Sequence, residues 1–174
     1  MIEHEQTYLL ARLPEGLERC DREQMTDVYF PVSSANPKLR LRKSGDRHGL
    51  TKKSVIGEDA SQQEERTIPL TEEEFETLTQ APGKTVKKTR YYYPYKGKTM
   101  EIDVFRGDLQ GLALAELEFD EEASKASFAR PDFCLADVTH EDFIAGGRLA
   151  GKAYEDLEEE LARFGYEKIR LTRR

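Results

Sequence analysis

The sequence predicts an α+β protein built mainly on an antiparallel sheet. Three observations predict it. Short segments alternate apolar with ionised residues, the period-two pattern of strands with two unlike faces. Turn-forming residues separate those segments. Helix-start signals are few. The length, 174 residues, suits a single domain over 1–174 that buries a core without disulfide or metal staples.

The elements follow in chain order. Leu39-Arg40-Leu41-Arg42 alternates strictly, and Gly45-Asp46-Arg47-His48-Gly49 turns the chain. Residues 57–66 read as a loop. Thr71-Glu72-Glu73-Glu74 is a capping box, and Phe75 and Leu78 follow at helical spacing, which predicts a short helix over 71–80. In 86–93, Val86, Lys88, Arg90 and Tyr92 share one face, with Lys87, Thr89, Tyr91 and Tyr93 on the other. Pro94 to Gly97 and Gly107-Asp108 are turns around the strand Glu101-Ile102-Asp103-Val104-Phe105. In 113–119, Leu114, Glu116 and Glu118 oppose Ala113, Ala115, Leu117 and Phe119. Thr139, with Asp142 three residues on, starts a second helix. Tyr154, Leu157, Leu161 and Phe164 form a helical stripe that Gly165 stops. Tyr166 to Leu171 alternates weakly, as an extra strand would.

Composition excludes several functions. The chain is 35% charged with a net charge of −7, and no stretch approaches ~20 apolar residues, so it does not span a membrane as helices. The acidic balance argues against a constitutive nucleic-acid binder. The basic, aromatic run from Lys87 to Lys96 reads as one aromatic-rich hairpin rather than a stacking platform. The N-terminus lacks an apolar signal region, which points to the cytoplasm, where Cys20 and Cys134 are reduced thiols. His4, His48 and His140 form no zinc-ligand pattern, and no phosphate-binding GxxxxGK[ST] occurs. The triplets Glu72–Glu74 and Glu158–Glu160 read as solvated helix faces.

Charge on alternate positions is the informative feature. The acids are Glu3 and Glu5, Asp103, then Glu116 and Glu118; the bases are Arg40 and Arg42, then Lys88 and Arg90. A spacing of two sets each pair on one strand face, about 6.5–7 Å apart. Two architectures accommodate this. An open sheet would bury its apolar face and leave the charged face in water. A closed barrel would turn the charged face inward, where Arg and Lys could hold an anion and the carboxylates a hard cation such as Mg²⁺ or Mn²⁺. Alternation alone does not choose between them.

From Glu3 to about Ala150 the ordered motifs resemble the CYTH family, the triphosphate tunnel metalloenzymes. Glu3-His4-Glu5 stands where that family has ExExK. Leu39-Arg40-Leu41-Arg42 is similar to its LRxR strand, and Leu50-Thr51-Lys52-Lys53 to its LTxK strand, selecting Lys53. Lys88-Thr89-Arg90-Tyr91 matches KTRY, and the segments 101–105 and 115–119 match its two acidic strands. The resemblance implies a closed, eight-stranded antiparallel β-barrel, or tunnel, with helices packed outside. It occupies about 1–150, followed by a C-terminal helix and possible strand in 151–174.

The resemblance also implies a Mg²⁺- or Mn²⁺-dependent phosphohydrolase of short linear polyphosphates, foremost an inorganic triphosphatase. A nucleoside triphosphate is a second substrate class, and a homodimer is compatible. Glu3, Glu5 and Glu118 would ligate metal. Glu116 and Asp103 would serve catalysis, by ligating metal or orienting its water. Arg40, Arg42, Lys53, Lys88 and Arg90 would hold phosphate oxygens. Alternatives within the same resemblance are a non-catalytic polyanion-binding tunnel and an adenylate cyclase. Three departures bear on this. Thr7 replaces the Lys of ExExK. A second strand with alternating Glu is reduced to Glu65 and Thr67, or to Glu64 and Arg66 in the other register. Phe143 to Arg148 lacks the usual Tyr and Lys.

Overall fold

The computed structural model describes residues 4–55, 63–120 and 122–170. Its strands are β1 (His4–Leu10), β2 (Arg22–Phe30), β3 (Leu39–Ser44), β4 (Arg47–Val55), β5 (Gln63–Leu70), β6 (Lys84–Tyr95), β7 (Lys98–Arg106), β8 (Ala113–Phe119) and β9 (Cys134–Asp137). They form one sheet in the order β5-β4-β3-β2-β6-β7-β8-β1-β9, and the paired neighbours are antiparallel. Local chemistry sets the tight turns. Lys96 and Gly97 both take positive φ in the β6–β7 hairpin, which matches the right-handed twist of its strands.

The expected closed eight-stranded barrel is corrected in two respects. The sheet has nine strands, and among the described residues β5 and β9 do not pair to close it. β9 occupies the edge that closure would need, because Cys134–Asp137 pair with Tyr8–Leu10 of β1. β5 carries Pro69, which has no N–H to offer a ladder. The sheet nevertheless coils strongly. Glu5 on β1 lies within electrostatic reach of Lys53 on β4, although β3, β2, β6, β7 and β8 separate those strands.

Two apolar clusters flank the sheet. The convex face is sealed by Tyr8, Tyr91, Ile102, Val104, Ala115 and Leu117 under the loop residues Leu17 and Phe133. Tyr93 and Tyr95 pack edge-on to Phe133, so the aromatic run of β6 is core rather than platform. The second cluster lies on the charged face itself. Leu9, Tyr29, Val86, Phe105 and Leu114 each sit two residues from an ionised or hydroxyl side chain on the same strand, and they meet Phe143, Leu149, Tyr154, Leu157 and Leu161.

Helices packed outside therefore describe only part of the molecule. α1 (Glu72–Leu78) does lie outside, capped as expected: Thr71 Oγ1 accepts from the Glu74 amide at 3.2 Å, and Glu74 accepts from the Thr71 amide at 2.8 Å. α2 (Glu122–Ala126) is a single short turn. α3 (Gly146–Leu149) and α4 (Glu158–Ala162) instead plug one end of the concave face. Leu161, 1% exposed, is the centre of that plug. Leu161→Ala should cost about 2–4 kcal/mol by urea denaturation, because the plug cannot collapse onto the vacated space.

Other expectations change here. Thr139 caps no helix; its hydroxyl donates to Asp137 at 2.5 Å and accepts from the Thr7 amide at 3.0 Å, tying the chain to β1. The chain then makes a 3₁₀ turn at Asp142–Ile144 before α3. Residues 166–170 form no strand; Ile169 donates one backbone bond to Gly111, and the Tyr166 hydroxyl bridges Gly111 and Ala113. The expected loop over 57–66 lies outside the described residues up to 62, and from Gln63 it is β5. Both cysteines are free thiols, and burial pushes the Cys134 thiol up to about 12. No helix of the described residues is long and apolar enough to cross a membrane.

Candidate functional site

Strand alternation places the ionised residues on the concave face, and the register fixes their neighbours. Glu5 stands opposite Glu118, and Thr7 opposite Glu116. Glu101 stands opposite Glu116, and Arg90 opposite Asp103. Asp27 stands opposite Arg42 and Tyr29 opposite Arg40. Lys53 stands opposite Glu65 and Thr51 opposite Thr67, which resolves the register of β5 in favour of Glu65 and Thr67. Glu64 and Arg66 pair with each other on the exposed side, 3.1 Å apart.

Arg90 is the hub. Its guanidinium donates to both oxygens of Asp103 at 2.7 Å, to Glu116 at 2.6 Å, and to Glu101. Lys88 also reaches Asp103. Asp103 is 0% exposed, and burial alone would raise its pKa; Lys88 and Arg90 outweigh burial and hold it well below the usual carboxylate range. Burial raises Glu101, and its neighbours Glu116 and Asp103 add to that against the pull of Arg90.

On the other side of the trough, Asp27 receives a bidentate fork from Arg42 at 2.6 and 2.7 Å. Arg42 and Lys88 keep Asp27 ionised despite its burial. Lys53 pairs with Glu65. Arg40 differs from these cations. It has no carboxylate partner among the described residues, its Nη2 donates weakly to Thr51 at 3.4 Å, and its Nε is buried without an acceptor.

Of the residues the sequence suggested, the structure gathers Glu5, Glu116, Glu118, Asp103, Lys88, Arg90, Arg40, Arg42 and Lys53 on one concave face. Glu3 lies outside the described residues. Glu118 is exposed at the open end. Glu5 is pushed up to about 7, first by burial and then by Glu116, against weaker opposing pulls from Thr7, Lys53 and Arg90. Thr7 is not a blank where a lysine was expected; its hydroxyl donates to Glu5 at 3.1 Å. Sequence reading missed Glu101, two residues before Asp103 on the same face, although the alternation that marked Asp103 marked it too. It also missed Asp27, because Met25, Asp27 and Tyr29 mix an acid with apolar groups on one face of β2.

The chain has relatives of known activity. It is 32% identical over 152 residues to an inorganic triphosphatase of Nitrosomonas europaea, covering 86% of this chain and 97% of that one. It is 31% identical over 123 residues to an inorganic triphosphatase of Acetivibrio thermocellus, covering 70% and 76% respectively. The crystal structure of an inorganic triphosphatase superposes with a TM-score of 0.67 at 28% identity, covering 87% of this chain and 96% of that one. No family model matches the sequence. Near-complete coverage of a relative at 32% identity places the chain in the CYTH superfamily, the triphosphate tunnel metalloenzymes.

Proposed function

We propose that this protein hydrolyses inorganic triphosphate in a reaction dependent on a divalent cation, Mg²⁺ or Mn²⁺. The observation that carries the reading is a match at 32% identity that spans 97% of an inorganic triphosphatase. The concave face supports it chemically. Acids from β1, β7 and β8 line one wall, and Arg40, Arg42 and Lys53 line the other, as a phosphate chain bridged to a cation requires.

The residues present fit a hard divalent ion. Among the described residues no three acids, histidines or cysteines stand close enough to form a complete cage. Mg²⁺ does not need one, since it is commonly held by one or two carboxylates, with waters and substrate oxygens filling the rest. Glu5 is buried against Glu116 with too little positive charge nearby to offset it, which is the electrostatic signature of a cation site. Glu5, Glu118 and Glu3 would hold the ion. When bound, it supplies charge neutralisation on phosphate oxygens and a more acidic water.

The chain's own residues do the rest. Glu116, one-quarter exposed beside Arg90, orients the attacking water. Asp103, wholly buried, acts through Lys88 and Arg90 by fixing where those cations point. Arg40, Arg42 and Lys53 hold phosphate oxygens, so catalysis is mostly positioning and electrostatics.

The test is release of orthophosphate from triphosphate by purified protein between neutral and alkaline pH, with Mg²⁺, Mn²⁺ or chelator. Release with metal and none with chelator is expected. No release under any of these conditions, despite a folded protein, would refute the reading.

A further inference from the structure

Of the five cations that the sequence marked, four are already engaged by carboxylates: Arg42 by Asp27, Lys53 by Glu65, and Lys88 and Arg90 by Asp103. Arg40 alone among them has no carboxylate partner within the described residues, so the positive charge left unneutralised for a highly charged triphosphate is small. Further uncommitted positive charge lies next to it. Lys38 precedes Arg40 by two residues, and its carbonyl accepts from the Lys53 amide at 2.9 Å, so Lys38 and Lys53 face each other across β3 and β4 on the concave side. Lys38 has no acidic partner within ion-pair distance among the described residues. Burial and then Lys53 lower its pKa against the pull of Asp142, and Arg148 adds a smaller lowering.

Arg148 reaches this corner from the C-terminal plug, and the backbone explains how. Gly146 and Gly147 open α3, and a side-chain carbon at either would collide, at Gly146 with the Tyr29 hydroxyl and at Gly147 with Asn36 and Pro37. The glycines let α3 lie directly on the residues that flank Lys38 and on Tyr29, which is the cross-strand partner of Arg40. Arg148 Nε is then buried without an acceptor, as is Arg40 Nε. Its one ion pair among the described residues, to Asp142 at 3.3 Å, is made with a side chain 84% exposed and holds it weakly. Two guanidinium groups with buried, unanswered N–H donors, beside an ammonium without an acidic partner among the described residues, are chemically suited to an anion.

We propose that Arg148, with Lys38 and Arg40, binds the terminal phosphoryl group of a linear polyphosphate at the plugged end of the trough. The inference rests on the triphosphatase reading and deepens it: the C-terminal segment contributes directly to substrate recognition. The chain end is read at the plug, while the rest of the polyphosphate extends toward the acidic, open end.

The experiment measures steady-state kinetics on triphosphate and metal-free triphosphate binding by calorimetry. Arg148→Ala should raise KM and weaken metal-free binding by about tenfold to a hundredfold, with kcat within about threefold and melting unchanged. Arg148→Lys should recover part of the affinity. Asp142→Ala, which frees Arg148 from its surface partner, should bind as well as the parent or better. Unchanged affinity in Arg148→Ala, beside a parent that binds and hydrolyses triphosphate, would overturn this inference and leave the triphosphatase reading standing. A parent that neither binds nor hydrolyses triphosphate would overturn both. If Arg148→Ala does not fold, Lys38→Ala in the same assays decides, and unaltered affinity there is equally fatal.

Discussion

Arg90→Ala should destabilise the protein by about 3–5 kcal/mol at pH 8, measured by urea denaturation. The guanidinium answers three carboxylates at once, Asp103, Glu101 and Glu116. Removing it leaves Asp103, 0% exposed, with Lys88 as its remaining partner, and leaves Glu101 facing Glu116 with nothing between them. The pH dependence has a definite sign. In the parent, Asp103 is held below its ordinary value, so its contribution is fully present above about pH 4 and is lost as pH falls below that. In the variant Asp103 keeps only Lys88 and loses part of the pull that lowers it, while Glu101, already raised by burial, loses the main pull against it. The neutral form of Glu101 is then favoured further in the fold, so the variant's stability falls as pH rises. The gap between parent and variant should therefore shrink markedly from pH 8 to pH 5. Arg90→Lys should recover some of the loss by restoring charge without the planar fork. A variant as stable as the parent, altered only in KM, would mean that Arg90 serves phosphate oxygens rather than the carboxylates.

That prediction could not have been drawn from the sequence, which marked Arg90 as a phosphate ligand by its place in KTRY. Period-two alternation identifies a face but not a neighbour, and the partner of Arg90 is decided by register between β6 and β7. The same holds for Arg42, whose fork is filled by Asp27 of a strand that the sequence did not reveal. β2 was hidden because Glu23 and Asp27 share a face with Met25 and Tyr29, and burial of an acid becomes legible only once Arg42 stands beside it. β3, β6, β7 and β8 were legible because each sets ionised residues against an apolar or aromatic face. The closed barrel was not borne out, because the edge-filling role of β9 depends on a short segment, Cys134–Asp137, with no alternation long enough to read. The C-terminal stripe Tyr154, Leu157 and Leu161 was read correctly as an apolar face. Its destination, the end of the charged trough rather than the convex surface, is a property of packing that periodicity does not carry.

Glu5→Gln should move activity and stability in opposite directions. Metal-dependent turnover should fall by at least about a hundredfold, since even groups that only orient a metal ligand cost ten- to a hundredfold when removed. In the absence of metal, the same variant should be more stable than the parent at pH 8, by about 1–3 kcal/mol after discounting for solvent screening. The carboxyl is pushed up to about 7, chiefly by burial and then by Glu116. A raised carboxyl favours the fold while it holds its proton. That stability is fully present below about pH 4.5 and is lost as pH rises through about 7. At pH 8 the parent carries the whole penalty and glutamine none; at pH 4.5 both side chains are neutral and the difference disappears. Added Mn²⁺ should raise the melting temperature of the parent at pH 8, because the ion binds the folded state selectively, and should leave the variant nearly unmoved. Thermal melts at pH 5 and pH 8, with and without Mn²⁺, separate the cases. A carboxylate retained for folding would make Glu5→Gln less stable at pH 8, whereas one retained for a cation costs the empty protein stability and returns it on binding.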